Sequence, residues 1–151
     1  MTTNEKNSAV TKLLNGALTS IKTVIPIDYE FERPRVINQD FRLFFGVLIG
    51  ITGDIKGKLV FSGDQTTFGS IGERMFGMPL EGDMLLSFSG ELGNMIAGGI
   101  STTIADSGTD INITAPTIMQ GNTTLSGYKK ALEITVEFAN VGKMNTYLLI
   151  D

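Results

Sequence analysis

The chain has 151 residues, of which 42% are hydrophobic and 19% are charged, a composition that can bury its own core and that excludes a disordered or fibrous protein. It contains no cysteine and no histidine, which excludes disulfides, thiolate nucleophiles, histidine bases and the common transition-metal sites. Twelve basic and sixteen acidic residues give a net charge of −4, and no segment concentrates Lys or Arg, so nucleic acid is not expected as a partner.

The sequence predicts neither an export signal nor a membrane span. Its first residues lack the basic-then-apolar pattern of a signal peptide. The longest apolar stretch, from Leu43 to Ile51, is short and interrupted by glycine. We therefore expect a cytoplasmic protein with no membrane partner. Since no internal repeat or low-complexity linker divides the chain, we expect residues 1–151 to form a single domain.

The first predicted element is an amphipathic helix from about Asn4 to Val24, with apolar residues at helical spacing. It ends before Pro26, because the residue preceding a proline avoids the helical region. A short strand is predicted near Tyr29 to Ile37, limited by Pro34, which cannot donate a hydrogen bond to a sheet.

The next segment predicts an antiparallel hairpin. Two apolar runs, Phe41 to Ile51 and Ile55 to Phe61, flank a Thr-Gly-Asp turn. Both faces of this hairpin are rich in hydrophobic residues. We therefore expect helices to cover one face and a partner subunit to cover the other.

The rest of the chain predicts two helices followed by a series of strands. A helix carrying Phe68, Ile71 and Met75 ends at Gly77, and a longer helix runs from Asp83 to about Asp106. The strands that follow are predicted at residues 111–115, 117–120, 131–138 and 143–150. Because these strands are contiguous in the chain, the predicted fold class is α+β, with a largely antiparallel sheet packed by long helices.

The long helix separates its residues into two faces at about 100° per residue. One face forms the predicted buried stripe: Leu85, Phe88, Leu92, Met95, Ile96 and Ile100. The opposite face, which we call the docking face, carries a carboxylate and a carboxamide one turn apart among small residues: Ser87, Glu91, Asn94, Gly98 and Ser101. A solvated helix face is ordinarily polar, so this pattern alone does not require a function.

Glycines distinguish this helix from an ordinary surface helix. Gly90, Gly93, Gly98 and Gly99 each cost a helix interior up to about 1 kcal/mol relative to alanine. Close packing against another element of the chain would account for some of them, and close docking of a partner for others. Nearby, we expect Met75, Met78 and Met84 to fill the core and loops rather than to form a binding surface.

The sequence around these residues resembles the signature of the CheC/CheX/FliY family of bacterial chemotaxis phosphatases. That signature is Asp or Ser, three residues, Glu, two residues, Asn, twenty-one residues and Pro. Ser87, Glu91, Asn94 and Pro116 match every element at the right spacing. The surrounding Gly-Glu-Leu-Gly-Asn-Met-Ile-Ala-Gly run and the Ile-Thr-Ala-Pro-Thr run at residues 113–117 resemble the CheX branch in particular.

The resemblance implies the CheC-like fold and one site rather than two. In the first helix, Lys12 and Asn15 stand at the equivalent spacing, so that helix lacks the carboxylate of a second site. Single-site members of the CheX branch form homodimers with a sheet shared between subunits. We therefore expect a homodimer, formed through the hairpin and the apolar C-terminal run at residues 147–150.

The resemblance also implies the substrate and the residue roles. The substrate would be a CheY-type response regulator phosphorylated on aspartate, which places the chain in two-component signalling. Asn94 would position the attacking water, and Glu91 would pair with the regulator's active-site lysine. Ser87, Gly98 and Ser101 would contact the partner, although the Ser87 hydroxyl could instead bond to the carbonyl four residues back. Pro116 would shape the adjacent strand.

No cofactor of the chain's own is expected, because the response regulator would hold the Mg²⁺. The alternative function is a non-catalytic module of the same fold that binds a response regulator or acts as a motor-switch adaptor. The same helix face would serve that module. A pure binding module, however, has no use for a carboxamide at the position of Asn94.

Overall fold

A computed structural model describes residues 3–151, with side chains from residue 7 onward. The described residues form three helices and eight strands: α1 (Thr3–Val24), β1 (Tyr29–Phe31), β2 (Arg35–Ile37), β3 (Phe41–Gly53), β4 (Gly57–Gly63), α2 (Gln65–Phe76), α3 (Gly82–Ala105), β5 (Ile111–Ile113), β6 (Thr117–Leu125), β7 (Lys130–Phe138) and β8 (Gly142–Ile150). All strand pairs are antiparallel. The predicted α+β class is therefore confirmed.

The strands form one sheet with the order β1-β7-β8-β4-β3-β5, in which β2 also pairs with β7 and β6 also pairs with β3. Two predicted strands differ from those observed. The single strand predicted near residues 29–37 is two strands, because Pro34 lies in the break between them. The strand predicted at residues 117–120 continues to Leu125, because its polar second half pairs with the first residues of β3.

One face of the sheet carries the helices and the main core. Alternate residues of the central strands point toward the helices, including Val47 and Ile49 of β3 and Phe61 of β4, each at most 1% exposed. On the helical side they meet fully buried residues such as Leu13 of α1 and Leu92 of α3. The period-2 pattern of the strands and the 3.6-residue pattern of the helices thus converge on one apolar layer.

The other face of the sheet has a smaller apolar cluster that the chain buries by itself. Leu43, Val60 and Leu149 are at most 3% exposed there. Phe41 stacks on Tyr147 with ring centroids 4.0 Å apart. These side chains are therefore buried within the chain itself, packed with aromatic residues such as Phe41 and Tyr147, and the expectation that a partner subunit covers this face stays a prediction.

The C-terminal strand also lies elsewhere than expected. β8 pairs with β7 on one side and β4 on the other, so its apolar character reflects a central position and not a free edge. The β3–β4 hairpin is likewise interior, since β5 and β6 pair with the outer side of β3. The free edges of the sheet belong to β1 and β2 at one end and to β5 and β6 at the other.

Candidate functional site

Helix α3 is held by a buried stripe that agrees largely with the predicted one. Five of its six predicted members are buried: Leu85, Phe88, Leu92, Ile96 and Ile100. The sixth, Met95, was wrongly assigned, because 38% of it is exposed. Met95 lies about 40° around the helix from Glu91, beyond the surfaces that α1 and the sheet cover. It therefore belongs to the exposed side.

Two of the four α3 glycines permit close packing inside the chain. A Cβ at Gly93 would stand 2.9 Å from a methyl of Val47, so glycine lets α3 lie directly on β3. A Cβ at Gly99 would collide with the hydroxyl of Ser20 on α1. Gly90 lies against the ring of Pro116, whose Cγ would be 3.6 Å from an added Cβ. Close packing therefore accounts for Gly93 and Gly99, whereas a Cβ at Gly90 would make ordinary van der Waals contacts.

Gly98 is different from the other three glycines. A Cβ there would meet no atom of the described chain within 4 Å, apart from its own helical turn. Its neighbours on the same face are Glu91, which is exposed, and Asn94, which is half-buried. A glycine that no internal contact requires, on the face that carries the motif, fits the closer approach of a second molecule.

The docking face thus lies on one open side of α3. Ser87 and Glu91 are exposed, while Asn94, Gly98 and Ser101 are half-buried. The Ser101 hydroxyl donates a long 3.4 Å hydrogen bond to the Ile111 carbonyl of β5. The neighbouring Ser89 hydroxyl donates a hydrogen bond to the Leu85 carbonyl four residues earlier, whereas Ser87 is exposed.

The segment between β5 and β6 forms one wall of this face. Thr114 is tied to β3, because its hydroxyl accepts a 2.8 Å hydrogen bond from the Gly50 N–H and its own N–H donates to the Gly50 carbonyl. Two residues later Pro116 packs on Gly90. Pro116 therefore lies against α3 one turn before Asn94, and its expected role in shaping the adjacent strand stays a prediction.

The first helix offers no equivalent pair. The Lys12 ammonium donates a 2.7 Å hydrogen bond to the Thr109 hydroxyl, so it is used within the chain. Asn15 is exposed, with no carboxylate one turn before it. The Glu and Asn pair of α3 is therefore without a counterpart on α1 in the described residues.

Electrostatics set the α3 region apart from the rest of the chain. Residues 73–91 contain four acidic residues and one basic residue, Arg74, so this segment carries −3 of the net charge of −4. The described residues offer neither a metal site nor a helical membrane span. They contain no group of three or more acidic side chains placed to hold a metal ion. No helix within the described part of the chain has the length and apolar character to cross a membrane.

The other polar cluster lies on the opposite face of the sheet. Arg35 forms an ion pair with Glu133, which is 8% exposed. Burial, with a hydrogen bond to Glu133, raises the pKa of Tyr147 well above its usual value. The Arg35 guanidinium donates two hydrogen bonds to the Glu133 carboxylate, which satisfies a buried charge and gives this cluster a structural role.

Sequence reasoning missed two exposed methionines beside the docking face. Met78 is 51% exposed and Met84 is 57% exposed, so the expectation that they fill the core and loops was wrong; only Met75 packs against the core. The available signal was spacing, because Met84 precedes Glu91 by seven residues, or two helical turns.

A carboxylate and a carboxamide on a braced helix can bind a cation and hold a water without proton transfer. The carboxamide both donates and accepts hydrogen bonds and has no proton to lose at neutral pH. The carboxylate accepts hydrogen bonds from an ammonium group. Neither group needs a metal ion or a histidine in the same chain.

The overall fold has close relatives among solved structures. A CheC-like superfamily protein from Shewanella sp. PV-4 matches with a TM-score of 0.78 and 20% identity, covering 100% of this chain and 99% of that one. The CheX–CheY–BeF₃–Mg²⁺ complex from Borrelia burgdorferi matches with a TM-score of 0.76 and 18% identity, covering 93% and 96%. The fold is therefore that of the CheC-like proteins, as predicted.

Sequence comparison gives the family itself. Residues 45–139 match the family described as chemotaxis phosphatase CheX. The CheY-P phosphatase CheX of Thermotoga maritima is 30% identical over 116 residues, which cover 74% of this chain and 75% of that protein. This chain belongs to the CheX family of chemotaxis phosphatases, and the predicted enzyme class, a phosphatase, is confirmed.

Proposed function

We propose that this chain hydrolyses the aspartyl phosphate of a CheY-type response regulator. The observation that carries the proposal is the Glu91 and Asn94 pair on the open face of α3, beside a glycine that no internal packing requires. The relative from Thermotoga maritima is a CheY-P phosphatase, and the relative from Borrelia burgdorferi forms a complex with CheY, BeF₃ and Mg²⁺. Both support this substrate.

The proposed reaction needs little from the phosphatase. Phosphoryl transfer depends mainly on positioning and on charge stabilisation, and the regulator supplies its own Mg²⁺, lysine and phosphorylated aspartate. The Asn94 carboxamide holds the attacking water in line with the phosphorus. The Glu91 carboxylate pairs with the regulator's lysine and sets the register of Asn94. Water and aspartyl phosphate become inorganic phosphate and the free carboxylate.

The remaining residues of the docking face contact the partner. Ser87 presents its hydroxyl to the regulator, and Gly98 lets the regulator's backbone approach α3. Ser101 borders the face beside β5, to which its hydroxyl is bonded. A cytoplasmic location follows from the proposed substrate, since these regulators act inside the cell.

We also propose a homodimer, with a different edge from the one that the sequence indicated. β6 is a nine-residue strand with several exposed polar residues. Within the described residues it pairs with β3 along one of its two edges. Its other side is the longer free edge of the sheet, and an unpaired edge of this length invites a strand from another chain. The shared sheet therefore continues through β6.

The decisive experiment follows phosphoryl loss from CheY-type regulators of the same organism. Each regulator is phosphorylated with acetyl phosphate in Mg²⁺, separated from the donor, and followed with and without this protein. We expect at least one regulator to lose phosphate faster in its presence. If it binds a phosphorylated regulator without changing the rate, the non-catalytic binding module replaces the phosphatase.

A further inference from the structure

The docking face is too small to hold a protein partner by itself. A stable interface takes roughly 20–30 residues from each side, and its centre is enriched in aromatic residues and methionine. The docking face offers two serines, one glycine and the Glu91 and Asn94 side chains. Any interface built around it must extend over neighbouring surface, and the structure shows where the apolar surface lies.

The exposed large hydrophobic residues are concentrated at one end of this face. Of six such residues in the described chain, three lie at residues 76–84, and a fourth, Met95, lies beside Asn94. Three of them, Phe76, Met78 and Met84, form what we call the apolar patch, at the end of α2, in the connection and in the first turn of α3; each is more than half exposed. The other two of the six, Val36 and Phe44, lie on β2 and β3.

The apolar patch is continuous with the docking face. The Phe76 ring packs edge-on against the Phe88 ring, with centroids 5.7 Å apart. Phe88 follows Met84 by one turn and lies beside Ser87 on α3. Met84 itself projects within about 20° of Glu91 around the helix axis. A partner that reaches Glu91 along this side of α3 therefore passes over Met84.

The opposite end of the face offers nothing comparable. Beyond Gly98, the exposed α3 residues are Thr102 and Ala105. The wall between β5 and β6 presents Thr114 and Ala115. These side chains are small, so they exclude water over little area. Because of this asymmetry, we expect the interface with the partner to extend from the docking face toward the N-terminal end of α3, near α2.

The charge around the patch defines the chemistry of its occupant. The exposed charged residues close to the apolar patch in the chain are Glu73, Arg74, Glu81 and Asp83, with a net charge of −2, and Glu91 lies two turns beyond Met84. The complementary surface is apolar at its centre with basic side chains at its rim. Under the proposed function, the regulator's active-site lysine is one of those basic groups, since Glu91 pairs with it. A second copy of this chain would instead bring like charges together.

We infer that the apolar patch formed by Phe76, Met78 and Met84 is the part of the phosphatase that binds the regulator most strongly, with Glu91 and Asn94 at its edge. This inference rests on the proposed function for the identity of the occupant. The patch supplies affinity for the regulator, and Asn94 supplies the rate. Exposed methionines suit that role, because their flexible side chains adapt to a partner surface.

The test separates affinity from rate with the double variant Met78→Gln/Met84→Gln. Its matched control is Val36→Gln. Val36 is 58% exposed, which is close to the 57% of Met84, but it lies on β2. The Kd is measured for a CheY-type regulator loaded with BeF₃⁻ and Mg²⁺. The values of kcat and KM are measured with the same regulator after phosphorylation with acetyl phosphate. Circular dichroism verifies that both variants are folded.

We expect the double variant to bind about tenfold more weakly, with a raised KM and an unchanged kcat, while Val36→Gln matches the wild type. Equal affinity of the double variant and the wild type would overturn the inference. So would a double variant that changes the oligomeric state but not the affinity for the regulator, because the patch would then bind a second copy.

The same measurements distinguish this inference from the proposed function. If the wild type does not accelerate phosphoryl loss but binds the regulator through the patch, the proposed function fails and the docking inference stands. If the wild type accelerates phosphoryl loss and the double variant does so with an unchanged KM, the docking inference fails and the proposed function stands.

Discussion

The Ser20 hydroxyl of α1 donates a 2.7 Å hydrogen bond to the backbone carbonyl of Ile96 on α3, two residues after Asn94. Both residues are fully buried or nearly so. The contact is possible because Gly99 has no Cβ to occupy the space of the Ser20 side chain. α1 thereby fixes the turn of α3 that carries Asn94, which gives the proposed water-positioning group a rigid support.

The two adjacent glycines of α3 should respond oppositely to alanine. Gly99→Ala places a Cβ against Ser20 and should destabilise the fold by about 1–3 kcal/mol through overpacking. Gly98→Ala meets open space and should stabilise the helix by up to about 1 kcal/mol. Urea unfolding of both variants measures the difference. A loss of stability of the same size at both positions would contradict this account of the packing.

Asn94→Ala should abolish most of the rate acceleration and leave the affinity for the regulator nearly intact. Loss of a well-placed catalytic group costs on the order of 10²-fold in rate, or roughly 2.7 kcal/mol of barrier. The matched control is Asn15→Ala, since Asn15 is exposed on α1 at the position of the absent second site. Single-turnover dephosphorylation gives the rate. A variant as fast as the wild type would refute the role of Asn94.

Glu91→Ala should weaken binding of the regulator as well as lower the rate. Removing the carboxylate leaves the partner's lysine unpaired in a closing interface, a loss on the order of 2 kcal/mol or more. Glu137→Ala serves as the control, because Glu137 is exposed on β7 and distant in the fold. Titration with the BeF₃⁻-loaded regulator gives the Kd. An unchanged Kd would show that Glu91 does not anchor the complex.

The homodimer should be visible at micromolar concentration as twice the monomer mass of 16.3 kDa. Its interface should bury well over about 1,200 Å² in total. Light scattering measures the mass. Hydrogen exchange of the native protein shows whether the backbone amides of β6 are protected from solvent. A monomer whose β6 amides exchange like those of a free edge would count decisively against the shared sheet.

Alkaline stability should depend on Tyr147. Burial raises the pKa of this phenol above its ordinary value of 10.0. Below pH 10 the folded and unfolded states both hold the proton; above it the unfolded chain loses the proton first, so stability falls as the pH rises. Tyr147→Phe should flatten that fall. Denaturant unfolding between pH 8 and about 11 compares the slopes; equal slopes would contradict the shift.

The sequence predicted correctly those elements that are determined by contacts between residues close together in the chain. The apolar spacing of α1 and α3, the turn of the β3–β4 hairpin and the spaced motif from Ser87 to Pro116 all depend on residues close in the chain. For the same reason the open face of α3 was identified from helical periodicity, since Leu92 and Ile96 determine which side must be buried.

What the sequence could not predict depends on contacts between distant segments. Strand order is one case: the apolar run of β8 suits a free edge covered by a partner as well as the central position between β4 and β7. Met95 is another, because its burial depends on where α1 lies across α3. The burial of Leu43 depends on Phe41 and Tyr147, whose side chains meet only after the sheet has assembled.

The central place of β8 also governs how the chain is made. β4 ends at residue 63 and β8 begins at residue 142, so the ribosome must add about 80 residues before β4 receives its outer partner, which takes roughly 4–16 s at typical synthesis rates. Until β5 and β6 are made, both edges of the β3–β4 hairpin are unpaired, and after that the β4 edge stays unpaired until β8 arrives. We therefore expect a newborn chain to expose the edges of this hairpin during synthesis, and we expect the long-range pairings of β3 with β6 and of β4 with β8 to limit refolding from denaturant.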